Sequence, residues 1–227
     1  MTDSGDREML AGVIFDFDGV IVDNHAVHLQ AWKTFFQSVG KQVDDEELSF
    51  VLEGTKREEI LRHFLGDLTQ EQISVYGAEK DKLFQSRANE QKILRGFTGF
   101  LEQVDAAGLP AVVATSGSRP RIEKTLDRFH LRPRFSAIVT GDDVANGKPA
   151  PDLFYLAARS LHVKAGSILV CEDAVSGVIA AKIAKMKCLA IAANGRGPKL
   201  KDAGADLIVE DFTQAKLDEI KKLFVQG

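Results

Sequence analysis

The chain has 227 residues, of which 44% are hydrophobic and 27% charged, and 33 acidic against 29 basic side chains give a formal net charge of −4. This composition favours a globular protein with a sizeable core, excludes a mainly disordered chain, and disfavours a nucleic-acid binder, which needs dense cationic patches. No apolar run reaches the ~20 residues of a membrane helix, and the first ten residues lack the layout of a signal peptide. The two cysteines cannot form a disulfide framework. We therefore expect a cytoplasmic protein.

Short apolar segments predict six buried strands along the chain. Helical patterns at residues 120–130, 151–161 and 174–185 follow three of these segments. Strands that alternate with helices are typical of an α/β fold, in which a parallel sheet is covered on both faces. The predicted strands lie within residues 9–17, 109–116, 135–140, 167–173, 188–193 and 205–210.

The first two predicted strands are separated by about ninety residues, whereas a crossover between parallel strands needs only about 12–30. Amphipathic helical segments lie within this stretch at residues 25–39, 44–52, 56–64 and 70–89, and we see no strand-like alternation among them. We therefore expect a small helical domain at residues 24–94. It is inserted into a core domain formed by residues 1–23 and 95–227.

Two carboxylates stand at the end of the first predicted strand. Asp16 and Asp18 lie inside an apolar run, where ionised groups are costly unless a metal ion or a partner compensates them. Ligands of open parallel sheets bind at the carboxyl ends of the strands. Two solvated carboxylates at a strand end are the simpler alternative.

Three other strand ends or following loops also carry reactive groups. A hydroxyl and glycine sequence precedes a helix near Pro120, whose free N–H groups can hold an anion. A lysine in a Gly/Pro loop and a second acidic pair complete a set suited to a phosphoryl group and Mg²⁺. Taken singly, each has a plainer explanation as a helix cap or a solvated side chain. The residues are Thr115, Ser116, Gly117, Lys148, Glu172 and Asp173.

These motifs, in this order, resemble the haloacid dehalogenase superfamily over nearly the whole chain, and most closely its branch of β-phosphoglucomutase and small-molecule phosphatases. The resemblance implies a Rossmann-like core with a helical cap domain. It also implies that Asp16 is the nucleophile, which forms an aspartyl phosphate, and that Asp18 is the general acid/base. Thr115 and Lys148 would bind the transferring phosphoryl group, next to Ser116 and Gly117.

The same resemblance implies Mg²⁺ as the cofactor. Asp16, the backbone carbonyl of Asp18, and Asp173 would bind the ion, and Glu172 would assist. An acid at Asp18 suits a sugar or alcohol leaving group, which needs a proton, and argues against dehalogenation, because halide needs none.

Several residues of the insertion also resemble those of β-phosphoglucomutase and would contact the substrate. Arg57 would reach a second, non-transferring phosphate with its planar fork. Core packing is the alternative for His28 and Trp32, and a solvated helix face for Arg57 and Lys80. The candidate substrate-binding residues here are His28, Trp32, Gly54, Arg57 and Lys80.

We expect a monomer that acts on a small phosphorylated metabolite, with no nucleic-acid or membrane partner. Hydrolysis of a phosphate ester ranks ahead of β-phosphoglucomutase and inorganic pyrophosphatase activity. A phosphorylated receiver domain of a signalling protein is a remote alternative, because receivers have no second aspartate like Asp18 and no helical insertion.

Overall fold

The structure is a computed structural model that describes residues 9–225, except for the side chain of Asn194. The outermost parts of the expected core domain, residues 1–8 and 226–227, lie outside the described residues. So does most of the segment on which the signal-peptide prediction rests.

Six of the strands form one parallel sheet in the order β5-β4-β1-β6-β7-β8, which confirms the predicted α/β fold. Because β1 lies between β4 and β6, the strand order reverses beside it, and the carboxyl ends of these three strands meet at one edge. The strands are β1 (Gly12–Phe15), β2 (Val22–Asp23), β3 (Lys92–Ile93), β4 (Ala111–Thr115), β5 (Ala137–Thr140), β6 (Ile168–Glu172), β7 (Lys187–Ile191) and β8 (Leu207–Val209).

Each helical segment predicted from the sequence contains a helix in the structure. Three further helices of the described residues were not predicted. The missed helices are α5, although its apolar residues have helical spacing, and the short α9 and α10. In chain order the helices are α1 (His25–Ser38), α2 (Asp45–Leu48), α3 (Arg57–Leu65), α4 (Gln70–Ser86), α5 (Phe97–Ala106), α6 (Arg119–Arg128), α7 (Asp152–Leu161), α8 (Val175–Ile183), α9 (Gly197–Asp202) and α10 (Leu217–Lys221).

The sheet is buried on both faces. Along β1, Val13 and Phe15 belong to the apolar cluster on one face, and Ile14 to the cluster on the other. This alternation follows from the two-residue period of a strand. β1 is therefore fully buried between the two clusters, which fixes the position of the residues that follow it. Within residues 9–225, no helix combines the length and apolar character needed to cross a lipid bilayer.

Helices α1 to α4 pack around a separate apolar cluster that includes Trp32, Phe35, Phe36, Leu61 and Phe64. This independent core supports our proposal that residues 24–94 form a cap domain, and we call this segment the cap below.

Two details of the insertion differ from the prediction. An antiparallel pair of strands, β2 and β3, joins residues 22–23 to residues 92–93, so the insertion does contain a short strand. Two residues are too few to show an alternating pattern. The predicted helix at residues 44–52 is also divided, since α2 ends at Leu48 and a 3₁₀ helix (Ser49–Leu52) follows.

Candidate active site

Asp16 directly follows β1 and is held against the neighbouring strand. Its backbone N–H donates a hydrogen bond to the carbonyl of Cys171 in β6 (3.0 Å). Its side chain accepts a hydrogen bond from Nζ of Lys148, 2.6 Å from Oδ1. Asp16 is 6% exposed and Lys148 is 1% exposed, so this is a buried charge pair. The loop between β5 and α7 thus brings Lys148 to the end of β1.

Glu172, the last residue of β6, holds Lys148 from the other side. One carboxylate oxygen contacts Nζ of Lys148. The other accepts hydrogen bonds from the backbone N–H groups of Asp173 and Ala174, each at 2.7 Å. Both oxygens of Glu172 are therefore engaged within the protein, and one of them holds Lys148. The expectation that Glu172 assists a metal ion stays a prediction.

Negative charge exceeds positive charge around Asp16. Burial raises the pKa of Asp16 well above its usual range, and the nearby carboxylates of Glu172 and Asp173 raise it further, although Lys148 opposes them. Burial opposes the charge of Lys148, but its contacts with Asp16 and Glu172 outweigh this effect and raise its pKa. Lys148 is shared by two carboxylates, those of Asp16 and Glu172, and the carboxylate of Asp173 is close enough to act on Asp16, so a further cation would be stabilised here.

The donor set fits Mg²⁺. Within the described residues, no cluster of three or more His, Cys, Asp or Glu side chains forms a complete metal cage. Mg²⁺ does not need one, because it is usually bound by one or two carboxylates together with water and substrate phosphate. Asp16, Asp173 and the backbone carbonyl of Asp18 are the residues that would hold the ion.

Two basic side chains lie beside Asp173. Its Oδ2 atom lies 3.1 Å from Nε2 of His25 and 3.6 Å from the Arg196 guanidinium. Burial opposes the charge on His25, but the hydrogen bond to Asp173 outweighs it and raises the histidine pKa. Arg196 also lies 3.5 Å from Glu53 of the cap, so it links the cap to this carboxylate.

Asp18 is held by His28 and by two side chains that the sequence analysis did not identify, Arg121 and Asn24. Arg121 donates to both carboxylate oxygens (2.8 and 2.6 Å), and Nδ2 of Asn24 donates to Oδ1 (2.6 Å). Nε2 of His28 lies 3.1 Å from the same oxygen. Burial would raise the pKa of Asp18, but Arg121 and His28 outweigh burial and hold it well below its usual range. Asn24 follows the first motif and Arg121 follows Pro120. Their positions next to predicted site residues were the signals in the sequence that could have identified them.

The turn after β4 faces Asp16 across the sheet edge. Thr115 is buried, and its Oγ1 accepts a hydrogen bond from the N–H of Gly117 (3.2 Å). The hydroxyl of Ser116 donates to the carbonyl of Gly54 in the cap (2.6 Å). These residues line a cavity of about 80 Å³ together with both aspartates of the first motif. The turn therefore lies where a phosphoryl group bound at Asp16 would contact it.

Three of the predicted cap residues are buried beside this cavity. Nζ of Lys80 lies 3.2 Å from Nδ1 of His28 and 5.1 Å from the ring centre of Trp32. Lys80 is 3% exposed, so it is not on a solvated helix face. Burial, together with Lys80, lowers the pKa of His28 to about 3. Burial and Arg121 lower the pKa of Lys80 to about 7. Trp32 lines the cavity and also stacks on Phe36, so it serves core packing as well.

Arg57 also lines the cavity, but it has a partner within the cap. Its Nη1 atom lies 3.0 Å from Oδ2 of Asp81, a residue of α4 that the sequence analysis did not single out. Ser118 donates to the same oxygen (2.7 Å). Asp81 lies in a charged helical run, where nothing in the sequence distinguishes it from solvated neighbours.

The cap rests on the core around the cavity. Besides the hydrogen bonds from Ser116 and Ser118, the Ser176 hydroxyl donates to the carbonyl of Glu53. Lys56 donates to the carbonyl of Val144 (2.9 Å). Gly54 lies at this contact with a φ of +75°, and a Cβ there would be 2.8 Å from Oγ of Ser176. The cavity therefore lies between the two parts of the chain.

Comparisons with known proteins find related sequences and a related structure. The chain is 31% identical over 222 residues to Protein SUPPRESSOR OF QUENCHING 1, chloroplastic, of Arabidopsis thaliana, a match that covers 93% of this chain and 20% of that longer protein. It is 29% identical over 206 residues to Hexitol phosphatase A of Escherichia coli (strain K12), covering 89% of this chain and 92% of that one. The crystal structure of β-phosphoglucomutase from Clostridium difficile superposes with a TM-score of 0.84 at 25% identity, covering 95% of this chain and 97% of that one.

Residues 13–191 match the family described as haloacid dehalogenase-like hydrolase, a range that contains every motif discussed above. The sequence resemblance and the fold are thereby confirmed. The chain belongs to the haloacid dehalogenase-like hydrolases, a family of enzymes.

Proposed function

We propose that this enzyme hydrolyses phosphate monoesters of small metabolites, with Mg²⁺ as cofactor and an aspartyl phosphate, an acyl phosphate on Asp16, as intermediate. The observation that carries the proposal is that Asp16, bound to Lys148, and Asp18 line one cavity with the turn at Thr115. The similarity to a hexitol phosphatase supports hydrolysis. A cytoplasmic, monomeric enzyme is part of the same proposal.

In the first step, a carboxylate oxygen of Asp16 attacks phosphorus, and the bond from phosphorus to the ester oxygen breaks. Two anions approach each other here, so positive charge must offset their repulsion. Lys148 supplies part of it from its place beside Asp16. Mg²⁺, when bound by Asp16, Asp173 and the carbonyl of Asp18, supplies further charge stabilisation.

Asp18 moves the protons of both steps. As a general acid it gives a proton to the leaving ester oxygen, and as a general base it then takes one from the water that attacks phosphorus. The second step breaks the bond between Asp16 and phosphorus and releases inorganic phosphate. Because Arg121 holds Asp18 ionised in this structure, this pair must loosen when substrate binds, so that Asp18 can carry the first proton.

A phosphoglucomutase activity is the second candidate. It is favoured by the structural similarity to β-phosphoglucomutase and by the low exposure of Asp16 beneath the cap. A mutase must exclude water from the phosphorylated aspartate while a bisphosphate reorients. With β-glucose 1-phosphate and a catalytic amount of glucose 1,6-bisphosphate, formation of glucose 6-phosphate faster than free phosphate would establish the mutase instead.

The proposal is tested with a panel of sugar phosphates, polyol phosphates, nucleotides and pyrophosphate, assayed with Mg²⁺ for released phosphate and for isomerised product. We expect phosphate from sugar or polyol esters and its loss in Asp16→Asn. Asp23→Asn is the matched control, because Asp23 is an exposed carboxylate close in sequence. Full activity in Asp16→Asn would exclude the covalent mechanism.

A further inference from the structure

The wall of the cavity contributed by α3, α4 and α6 carries three cationic side chains, each with an acidic neighbour in the protein. Arg121 is paired through both its terminal nitrogens with Asp18. Arg57 is paired with Asp81 at 3.0 Å, and Nζ of Lys80 lies 3.8 Å from the other oxygen of Asp81. Two carboxylates, Asp18 and Asp81, therefore face three basic side chains and offset much of the positive charge on this wall.

Asp81 stands where the positive groups of the wall converge. Its Oδ2 atom accepts from Arg57 and from the Ser118 hydroxyl at 2.7 Å, so cap and core both donate to it. Burial would raise its pKa, but Lys80 and Arg121 outweigh burial and lower it, which keeps Asp81 ionised. A negatively charged group of a ligand would need these same donors.

We propose that Asp81 is a specificity-determining residue, which occupies the anion position of this wall and selects against substrates with a second phosphate. The preferred substrates are then monophosphates whose remaining part is neutral and carries hydroxyl groups. This inference rests on the proposed function and refines it. It replaces the sequence-based expectation that Arg57 binds a second anionic group.

The physical reason is electrostatic. A second phosphate brought to Arg57 must either lie beside the Asp81 carboxylate or displace it from its donors. The first choice sets two like charges side by side in a partly buried place, and the second leaves Asp81 without partners. A neutral hydroxyl group neither repels the Asp81 carboxylate nor displaces it, because it can accept and donate hydrogen bonds while Asp81 stays paired with its donors.

The remaining surface of the wall suits a neutral polyol. Within the described residues, the buried Oγ1 atom of Thr55 has no hydrogen-bond partner, although Thr55 lines the cavity. A hydroxyl group on the substrate can donate to this atom and accept from it. The apolar side chains of Val51 and Ile60, also in the lining, can contact the carbon skeleton.

The test is calorimetric binding of fructose 6-phosphate and of fructose 1,6-bisphosphate without divalent cation. We expect wild-type protein to bind the monophosphate more tightly. In Asp81→Asn the affinity for the bisphosphate relative to the monophosphate should rise about tenfold or more. Glu79→Gln removes the same charge from an exposed position on the same helix and should leave this ratio as it is in wild type.

The gain in Asp81→Asn should require the freed guanidinium, so the double variant Arg57→Gln/Asp81→Asn should lose it. An unchanged ratio in Asp81→Asn, or a gain that persists without Arg57, would overturn the inference. If Asp81→Asn does not fold, tighter binding of the bisphosphate by wild-type protein overturns it as well, and tighter binding of the monophosphate supports it. Absence of phosphate release from the whole panel would refute the proposed function. The ratio of bisphosphate to monophosphate affinity tests the role of Asp81 independently of that result.

Discussion

Asp18 lies two residues beyond the proposed nucleophile and receives hydrogen bonds from Arg121 and Asn24. If it protonates the leaving oxygen, its removal should matter most where that oxygen is a poor leaving group. We expect Asp18→Asn to lower kcat/KM for an alkyl phosphate by about 10²–10⁴-fold and to lower it much less for p-nitrophenyl phosphate. Because kcat/KM covers only the transfer to Asp16, the later hydrolysis step does not mask the difference. Equal losses for both esters would exclude the acid role.

Lys80 offers a test by pH, since its pKa falls from the usual value of 10.5 to about 7 in the folded protein. Between these values the unfolded chain binds a proton that the folded protein lacks. The contribution of Lys80 to the free energy of unfolding therefore rises with pH, by up to about 1.4 kcal/mol per pH unit.

In Lys80→Met this contribution disappears. Urea unfolding at pH 7, 8 and 9 should show that the free energy of unfolding of wild-type protein, minus that of the variant, increases with pH. Lys82→Met changes an exposed neighbour on α4 and is the control. Parallel curves for wild-type protein and Lys80→Met would show that Lys80 is not desolvated as the structure has it.

The segment between the 3₁₀ helix (Ser49–Leu52) and α3 tests the contact between cap and core. Gly54 has a φ of +75°, and a Cβ there would lie 2.8 Å from Oγ of Ser176 and 3.0 Å from Cβ of Ala174. We expect Gly54→Ala to prevent full closure and to lower kcat/KM roughly tenfold or more.

Gly40 is the matched control, because its φ is +77° but a Cβ there would contact nothing within 4 Å. Both variants should lose about 1 kcal/mol of stability from the left-handed backbone, as measured by thermal unfolding. Only Gly54→Ala should lose activity. Equal kcat/KM in the two variants would show that this contact does not control the reaction.

At the scale of the whole molecule, folding brings together carboxylates from the ends of β1 and β6. A cation that binds only this folded arrangement stabilises it, by about 2.7 kcal/mol at a concentration one hundred times its Kd. We therefore expect Mg²⁺ to raise the thermal unfolding midpoint by roughly 5–10 °C and a chelator to reverse the shift and stop phosphate release. Asp173→Asn should lose most of the shift, whereas Asp218→Asn, at an exposed carboxylate, should keep it. Equal shifts in both variants would place the ion elsewhere.

The parts of this molecule that could be predicted from the sequence are those governed by local pattern. The six parallel strands follow from apolar runs, and the gathering of Asp16 and Lys148 follows from the rule that parallel strands end at one edge. The engagement of Asp18 by Arg121 joins residues 103 positions apart, and that of Arg57 by Asp81 joins two turns of different helices. Such pairs depend on how separate helices pack against one another, within the cap and between cap and core, and no local sequence pattern reports this packing. Strands of two residues, as in β2 and β3, are too short to leave a pattern.

That small antiparallel ribbon has an architectural consequence. Val22 is paired with Ile93 and Asp23 with Lys92, so the chain leaves the sheet and returns to it at one place. The roughly seventy residues between the two strands therefore form an insertion whose two ends are adjacent, and the path of the chain through the sheet does not depend on them. A tight turn joining Asp23 to Lys92 should therefore satisfy the same backbone pairing. A different set of helices could also be inserted at this point without changing the order or connections of the core strands.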